Sequence, residues 1–167
     1  TDANSNFGIL FQEDYDLAKY VAIIKKKYSY PTHYRVTWAK GMADKVLKIA
    51  KVLEEAEAQK GVTIALQSMN ENVLQAIKRK NIDDGKLREF IEMYEKHDIS
   101  SYVELIWGLP EETLDSFIDG VTHIIEEGFH NYMDIHLMML LPNAPVSKPG
   151  YKERYGIKTI DAQPRFS

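Results

Sequence analysis

Runs with a two-residue hydrophobic period alternate along this chain with runs of three- and four-residue period, and that alternation restricts the fold more than any other feature. Strand-like runs cover 33–40, 62–68, 102–108 and 132–141. The stretches between them carry apolar residues at helical spacing: Leu17, Val21 and Ile24; Val46, Ile49, Val52 and Leu53; Phe117, Val121, Ile124 and Ile125. Tyr30-Pro31 closes the first stretch, Gly61 follows the second and Gly128 the last. The longer interval from Asn70 to Ile99 is expected to hold two helices, 71–80 and 85–97. Strand-helix-strand repeats of this length need crossover helices, and right-handed crossovers lead to a parallel sheet. The fold class expected is therefore α/β.

A complete eight-unit barrel takes about 250 residues, so four strands leave either an open doubly wound sheet or part of a barrel. Strands covered on both faces read as nearly continuous apolar runs, and these do not. One face of the four runs carries Tyr34, Val36 and Trp38; Val62, Ile64 and Leu66; Val103, Leu105 and Trp107; and Met133, Ile135 and Leu137. The opposite face carries Arg35 and Thr37; Thr63 and Gln67; Tyr102 and Glu104; and Asp134, His136 and Met138. For any single residue a structural ion pair, such as Arg35 with Glu104, is a sufficient explanation. Four strands sharing one asymmetry are harder to explain that way, because each unpaired buried polar group costs about 1–3 kcal/mol. The expectation is a partial, open parallel (β/α) barrel whose wet interior holds a ligand. Val36, Trp38, Ile64, Leu66, Leu105 and Ile135 should lie under helices, and the polar set should lie opposite them.

Composition narrows the chemistry. The chain has 167 residues, 21 Lys+Arg against 25 Asp+Glu, and no cysteine. Disulfides, zinc-thiolate sites and thiol nucleophiles therefore lie outside it. The mild acidity gives no footprint for duplex nucleic acid. No run approaches the roughly 20 apolar residues of a membrane span, so a cytoplasmic protein is expected. Thr1 and the polar residues after it read as the continuation of a longer protein.

In parallel α/β folds the ligand sits at the carboxyl ends of the strands. Those ends carry Lys40, Gln67-Ser68-Met69-Asn70, the turn Gly108 to Thr113, and Leu141-Pro142-Asn143. Gln67, Ser68 and Asn70 suit a ligand hydroxyl or carboxylate, while Ser68 or Asn70 serves equally as a helix N-cap, the favoured reading for Asn70. Glu111 and Glu112 at a helix start need no explanation beyond the helix dipole. Of the five histidines only His136 is on the polar strand face, and none belongs to a metal-binding motif. Nucleophile-elbow, Walker-lysine and dinucleotide glycine motifs are absent from the sequence.

Five strings then arrive in order: Asp2-Ala3-Asn4 with Asn6-Phe7-Gly8-Ile9; Leu66-Gln67-Ser68-Met69; Ile77-Lys78-Arg79-Lys80-Asn81-Ile82; Glu104-Leu105-Ile106-Trp107-Gly108-Leu109-Pro110; and Leu141-Pro142-Asn143-Ala144. Together they resemble the radical S-adenosylmethionine (SAM) enzymes, particularly the branch that often carries an N-terminal cobalamin-binding domain. The resemblance runs from Asp2 to about Pro145 and implies the larger part of a six-stranded partial barrel. Residues 1–146 would form that core without its first unit, and 147–167 a C-terminal extension. The family's three-cysteine loop, which holds a [4Fe-4S] cluster, belongs to the missing first unit. The polypeptide alone is thus expected to bind no cluster.

The resemblance also implies roles. Asp2 and Asn4 match the place where the family contacts the methionine part of SAM. Gln67 and Ser68 match a strand end facing ribose or carboxylate, with Gln67 favoured because it shares the interior face with Thr63. The stretch Glu104, Ile106 to Gly108 matches the strand beside the adenine, and Leu141 with Pro142 match a backbone contact of the last strand. Arg35, Thr37, Lys40 and His136 are left as substrate-facing candidates for a small molecule or peptide. Two departures stand out: the family's Leu-Pro-Gly-Glu-Thr turn here has Glu111 in place of the glycine, and Ser5-Asn6 lengthens the Asp-Ala-Asn-Phe-Gly string. The implied activity of the intact protein is reductive cleavage of SAM to start radical chemistry, with cobalamin-dependent methyl transfer as one outcome. A non-catalytic binding or scaffold fragment stays open as an alternative, as does a cluster-free barrel lyase using Glu104 with His136.

Overall fold

The computed structural model describes residues 6–39, 43–59, 61–81, 83–142 and 144–160. Two long helices come first. Helix α1, Phe11–Tyr28, has Glu13 and Asp14 in its first turn and Lys25, Lys26 and Lys27 in its last, matching the charges to the helix dipole. Its stop is Ser29, whose left-handed backbone lets its N–H donate to Lys25 O at 2.8 Å. Helix α2, Ala43–Glu55, packs against α1 and buries Val46, Ile49, Ala50 and Leu53, one apolar stripe at helical spacing.

Strands β1 (Val62–Gln67), β2 (Ser101–Trp107) and β3 (Met133–Leu137) form a parallel sheet in the order β1-β2-β3. Helices α3 (Glu71–Ala76) and α4 (Asp84–Lys96) connect β1 to β2, and α5 (Leu114–Glu126) connects β2 to β3. Each crossover is capped by its own sequence. The Asn70 side chain accepts from the N–H of Asn72 and Val73, Asp83 accepts from Lys86, and Thr113 with Ser116 forms a capping box. The expected helix 71–80 ends early, at Ala76, because Lys78 adopts a left-handed φ of 56°. A short helix α6, Pro149–Tyr155, follows β3, and its Tyr151 hydroxyl donates to Ala76 O at 3.0 Å. Among the described residues no helix is long and apolar enough to cross a membrane.

The period-two reading places the central core correctly. Val62, Ile64 and Leu66 alternate with half-buried Thr63, Ala65 and Gln67, and Val103 and Leu105 alternate with half-buried Tyr102, Glu104 and Ile106. The buried sets meet Leu87 and Ile91 of α4, Ile124 of α5 and Phe129 in one apolar cluster. Burying such side chains is worth about 1.5–3 kcal/mol each.

Two expectations need correction. The run 33–40 is not a strand within its described part, 33–39. It makes one isolated parallel bridge, Trp38 to Phe7, with Phe7 N–H donating to Thr37 O at 2.8 Å and Ala39 N–H to Phe7 O at 2.9 Å. Among the described residues its backbone hydrogen bonds go to Phe7 and, through Tyr34 N–H, to Ala58 O at 2.7 Å, and none is a ladder bond to β1. A cleft of about 390 Å³ separates it from β1. The run 132–141 is likewise shorter than expected as a strand: β3 ends at Leu137, and Ile135 and Leu137 are 48% and 70% exposed, not under helices. Among the described residues the last strand has a neighbour on one side only, and the α-helix that follows it has just seven residues. Val36 is half-buried for a related reason, since its segment never joins the sheet.

Candidate functional site

The carboxyl end of β1 is irregular where a ligand would meet it. The register with β2 slips between Ala65 and Gln67, and Gln67 sits at φ 71°, a left-handed conformation that costs an L-residue roughly 1–2 kcal/mol. Among the described residues the half-buried Gln67 side chain makes no hydrogen bond. A strained backbone carrying an uncommitted amide at a strand end is the kind of arrangement that functional sites keep.

Ser68 behaves differently. It is 3% exposed, its hydroxyl donates to Glu112 Oε2 at 2.6 Å, and it accepts from Asn70 N–H at 3.1 Å. Asn81 Nδ2 donates to Ser68 O at 2.7 Å. The other oxygen of Glu112 accepts from the Ser116 hydroxyl at 2.5 Å. Of the adjacent pair, then, Gln67 is available to a ligand and the Ser68 hydroxyl is engaged. Asn70 is an N-cap, as its type suggested.

The next strand end turns at Leu109-Pro110-Glu111-Glu112, closed by Glu112 N–H donating to Leu109 O at 3.1 Å. Glu111 takes φ 67° after Pro110, the position that glycine normally fills in a type II turn. Replacing Glu111 by glycine should remove a strain of roughly 1–2 kcal/mol at an entropic cost of about 0.5–1. The expected result of Glu111→Gly is a net gain of about 0.5–1 kcal/mol in urea unfolding. A loss would mean that the Glu111 side chain carries an interaction the turn geometry does not reveal.

On the interior face Glu104 lies beside Asp134 in register, and His136 Nε2 is 3.5 Å from Asp134 Oδ2. Partial burial pushes the Glu104 carboxyl above the ordinary glutamate range; His136 opposes the rise and Asp134 adds to it. A raised folded-state pKa means that the native chain holds this proton more tightly than the unfolded one. The ionised form therefore destabilises the fold increasingly as pH climbs through that raised value, and not below the unfolded value near 4.5. Glu104→Gln should accordingly stabilise the chain at pH 7, with the advantage shrinking to nothing by about pH 4. Urea midpoints measured across that range check it, and a difference that is flat with pH would contradict it.

Arg35 and Thr37 are exposed and line a cleft of about 570 Å³ with Tyr102 and Asp134 at the amino end of the sheet. Arg35 makes no ion pair with Glu104. Ile106 is half-buried on the interior face. Gly108 is exposed at φ 89°, and Leu141 and Pro142 are exposed in the chain beyond β3. Asp2, Asn4 and Lys40 lie outside the described residues. The structure thus places Glu104 and Ile106 on the half-buried face of β2, and Gln67 and Gly108 at the carboxyl ends of the two adjacent strands. Thr37 lines the 390 Å³ cleft together with Glu104, whereas Arg35 lines only the 570 Å³ cleft at the amino end, with Tyr102 and Asp134. Glu112 and Asn81 organise the end of β1, a role the sequence did not suggest: Glu112 was expected only to suit the helix dipole and Asn81 only to belong to a string, and a carboxylate 44 residues from its hydroxyl partner leaves no local signal.

No family model matches the chain. Over 157 residues, 94% of its length, it is 37% identical to the cobalamin-dependent radical SAM methyltransferase TokK of Streptomyces tokunonensis. It is 36% identical over the same span to the 2-(S-pantetheinyl)-carbapenam-3-carboxylate methyltransferase of Streptantibioticus cattleyicolor. The chain is homologous to a segment of the radical SAM methyltransferases. It spans 23% of the length of each of these relatives. Among solved structures, coproporphyrinogen III oxidase HemN of Escherichia coli, a radical SAM enzyme, superposes with a TM-score of 0.51, covering 81% of this chain and 39% of that one. At 14% identity that likeness speaks for the fold alone: the three parallel strands and their crossovers follow part of the fold of that enzyme.

The fit of this chain to the cofactors of a radical SAM enzyme differs between them. With no cysteine, and with no group of three or more His, Asp or Glu among the described residues able to hold a metal, it does not fit a [4Fe-4S] cluster. The uncommitted Gln67 amide, the half-buried Glu104 carboxylate and the open backbone at Gly108 do fit a nucleoside with hydroxyl and amine edges.

Proposed function

We propose that this segment supplies the SAM-facing strand ends of a radical SAM methyltransferase, working within a longer polypeptide in the cytoplasm that holds the [4Fe-4S] cluster and cobalamin elsewhere. Residues 1–146 belong to the barrel core in this reading and 147–167 to an extension. The homology to two methyltransferases over 94% of the chain favours it above a scaffold fragment or a cluster-free lyase. The observation that carries the site assignment is Gln67: a left-handed strand end, half-buried, with its amide free among the described residues.

SAM, bound at a reduced cluster, supplies the reactive chemistry, and cobalamin would carry the transferred methyl group. The residues of this chain bind and orient. Gln67 and Glu104 offer an amide and a carboxyl to ribose hydroxyls, and the backbone from Ile106 to Gly108 lines the base. Asp2, Asn4, Leu141 and Pro142 complete the cofactor contacts in this reading, and Arg35, Thr37, Lys40 and His136 face the substrate. The apolar layer under β1 and β2 keeps these strands from shifting while the cofactor is held, and excludes water from their outer face.

The test is SAM affinity, measured by calorimetry on the full-length, cluster-loaded protein. A neutral hydrogen bond is worth a net 0.5–1.5 kcal/mol or so, and about 1.5–3 with a charged partner. Gln67→Ala is expected to weaken SAM binding several-fold. Wild-type affinity in a normally folded variant would remove Gln67 from the site.

A further inference from the structure

The geometry points to Glu112 as a positioning residue, one that never meets SAM but holds the end of β1 in the conformation that presents Gln67. The inference rests on Gln67 being a SAM contact. Residue 68 is tied down from three directions: its hydroxyl to Glu112, the same oxygen to Asn70 N–H, and its carbonyl to Asn81. Residue 67, immediately before it, is left-handed and follows a break in register. A glutamine left to itself returns to extended backbone, so its conformation persists only where neighbours over-determine it. Glu112 is the one tie that comes from another strand's turn. It reaches across from the Leu109–Glu112 turn after β2, and the Ser116 hydroxyl on its second oxygen fixes its orientation. The carboxylate therefore locks two neighbouring strand ends together and takes up the Ser68 hydroxyl, which leaves the amide of Gln67 as the ligand-facing group of the pair.

A double-mutant cycle separates this role from a direct contact and from a merely structural one. SAM affinity is measured by calorimetry on the full-length, cluster-loaded protein for Gln67→Ala, Glu112→Gln, Ser68→Ala, and each of the last two combined with Gln67→Ala. Thermal unfolding of each variant is recorded alongside. The expected result is a 3- to 10-fold weakening by Glu112→Gln and by Ser68→Ala, shrinking to less than about 2-fold when Gln67 is already alanine. Ser68→Ala deletes one oxygen and provides the reading if Glu112→Gln fails to fold. Equal weakening in both backgrounds would overturn the role, since Ser68 or Glu112 would then act on SAM independently of Gln67. Wild-type affinity in Glu112→Gln and Ser68→Ala, with Gln67→Ala weakened, would overturn the positioning role alone. Wild-type affinity in Gln67→Ala would overturn the site assignment and the positioning role together.

Discussion

Phe7→Ala should cost the 167-residue chain about 3–5 kcal/mol, the range for emptying a fully buried aromatic site. The Phe7 side chain has no exposed surface, and its ring meets the edges of Tyr34 and Trp38 at 5.9 Å each. Deleting it removes transfer energy, leaves a cavity and breaks two edge-to-face pairs. The location makes the loss consequential for function. Phe7 provides the only backbone bridge that residues 33–39 make among the described residues, so its ring and its N–H together seat the segment carrying Arg35 and Thr37. Urea unfolding gives the energy, and the emission of Trp38, buried beside Phe7, should shift to the red in the folded variant. The exposed Tyr20→Ala serves as a control and should stay within about 0.5 kcal/mol of wild type. A loss under about 1 kcal/mol in Phe7→Ala would show that the segment 33–39 is held by something other than this ring.

That bridge also explains which parts of the molecule could be read in the sequence. The strands β1 and β2 were legible because period two is a local property, and the chain's own elements bury one face of each and half-enclose the other. The same pattern at 33–40 and at 132–141 gave a different outcome: the described part of the first run makes one isolated bridge, and the second is a strand only over Met133–Leu137, with Ile135 and Leu137 exposed. Whether an alternating run becomes a strand depends on a pairing partner, and whether its apolar face is covered depends on the helix that follows; neither is encoded in the run itself. The site divides along the same line. That Glu111 stands at a glycine's position was legible through the family resemblance, since a turn is written in four consecutive residues that can be matched, and the structure keeps the left-handed φ there in spite of the side chain. Asn70 as a cap was legible from its residue type. Between Gln67 and Ser68 the shared face with Thr63 favoured Gln67, but what occupies the Ser68 hydroxyl was not legible, because Glu112 arrives only after a helix pair and a strand have intervened. Nothing in the residue type of Gln67 announces a left-handed backbone, which is a consequence of how residues 68 and 112 are joined.

The second large effect is expected at Gly61, where β1 begins. Its φ of 123° is a conformation that L-residues rarely adopt, and a Cβ there would stand 3.2 Å from Ser100 O and 3.3 Å from Tyr102 Cδ1. The tyrosine ring can move aside. The carbonyl cannot, because Val62 N–H donates to it at 2.8 Å, next to the first β1–β2 register pair, Val62 with Ser101. Gly61 O in turn accepts from Trp38 Nε1 at 3.3 Å, so displacing this residue disturbs both the start of the sheet and the seat of the 33–39 segment. Backbone strain of about 1–3 kcal/mol combines with overpacking of similar size, and Gly61→Ala should destabilise the chain by roughly 2–4 kcal/mol. Gly128 separates the two causes: it also has a positive φ, 97°, but a Cβ there would meet nothing within 4 Å. Gly128→Ala should therefore show the backbone cost alone, about 1 kcal/mol. Equal losses at the two glycines in urea unfolding would mean that the Ser100 carbonyl gives way, and that the first rung of the sheet is softer than its hydrogen bond implies.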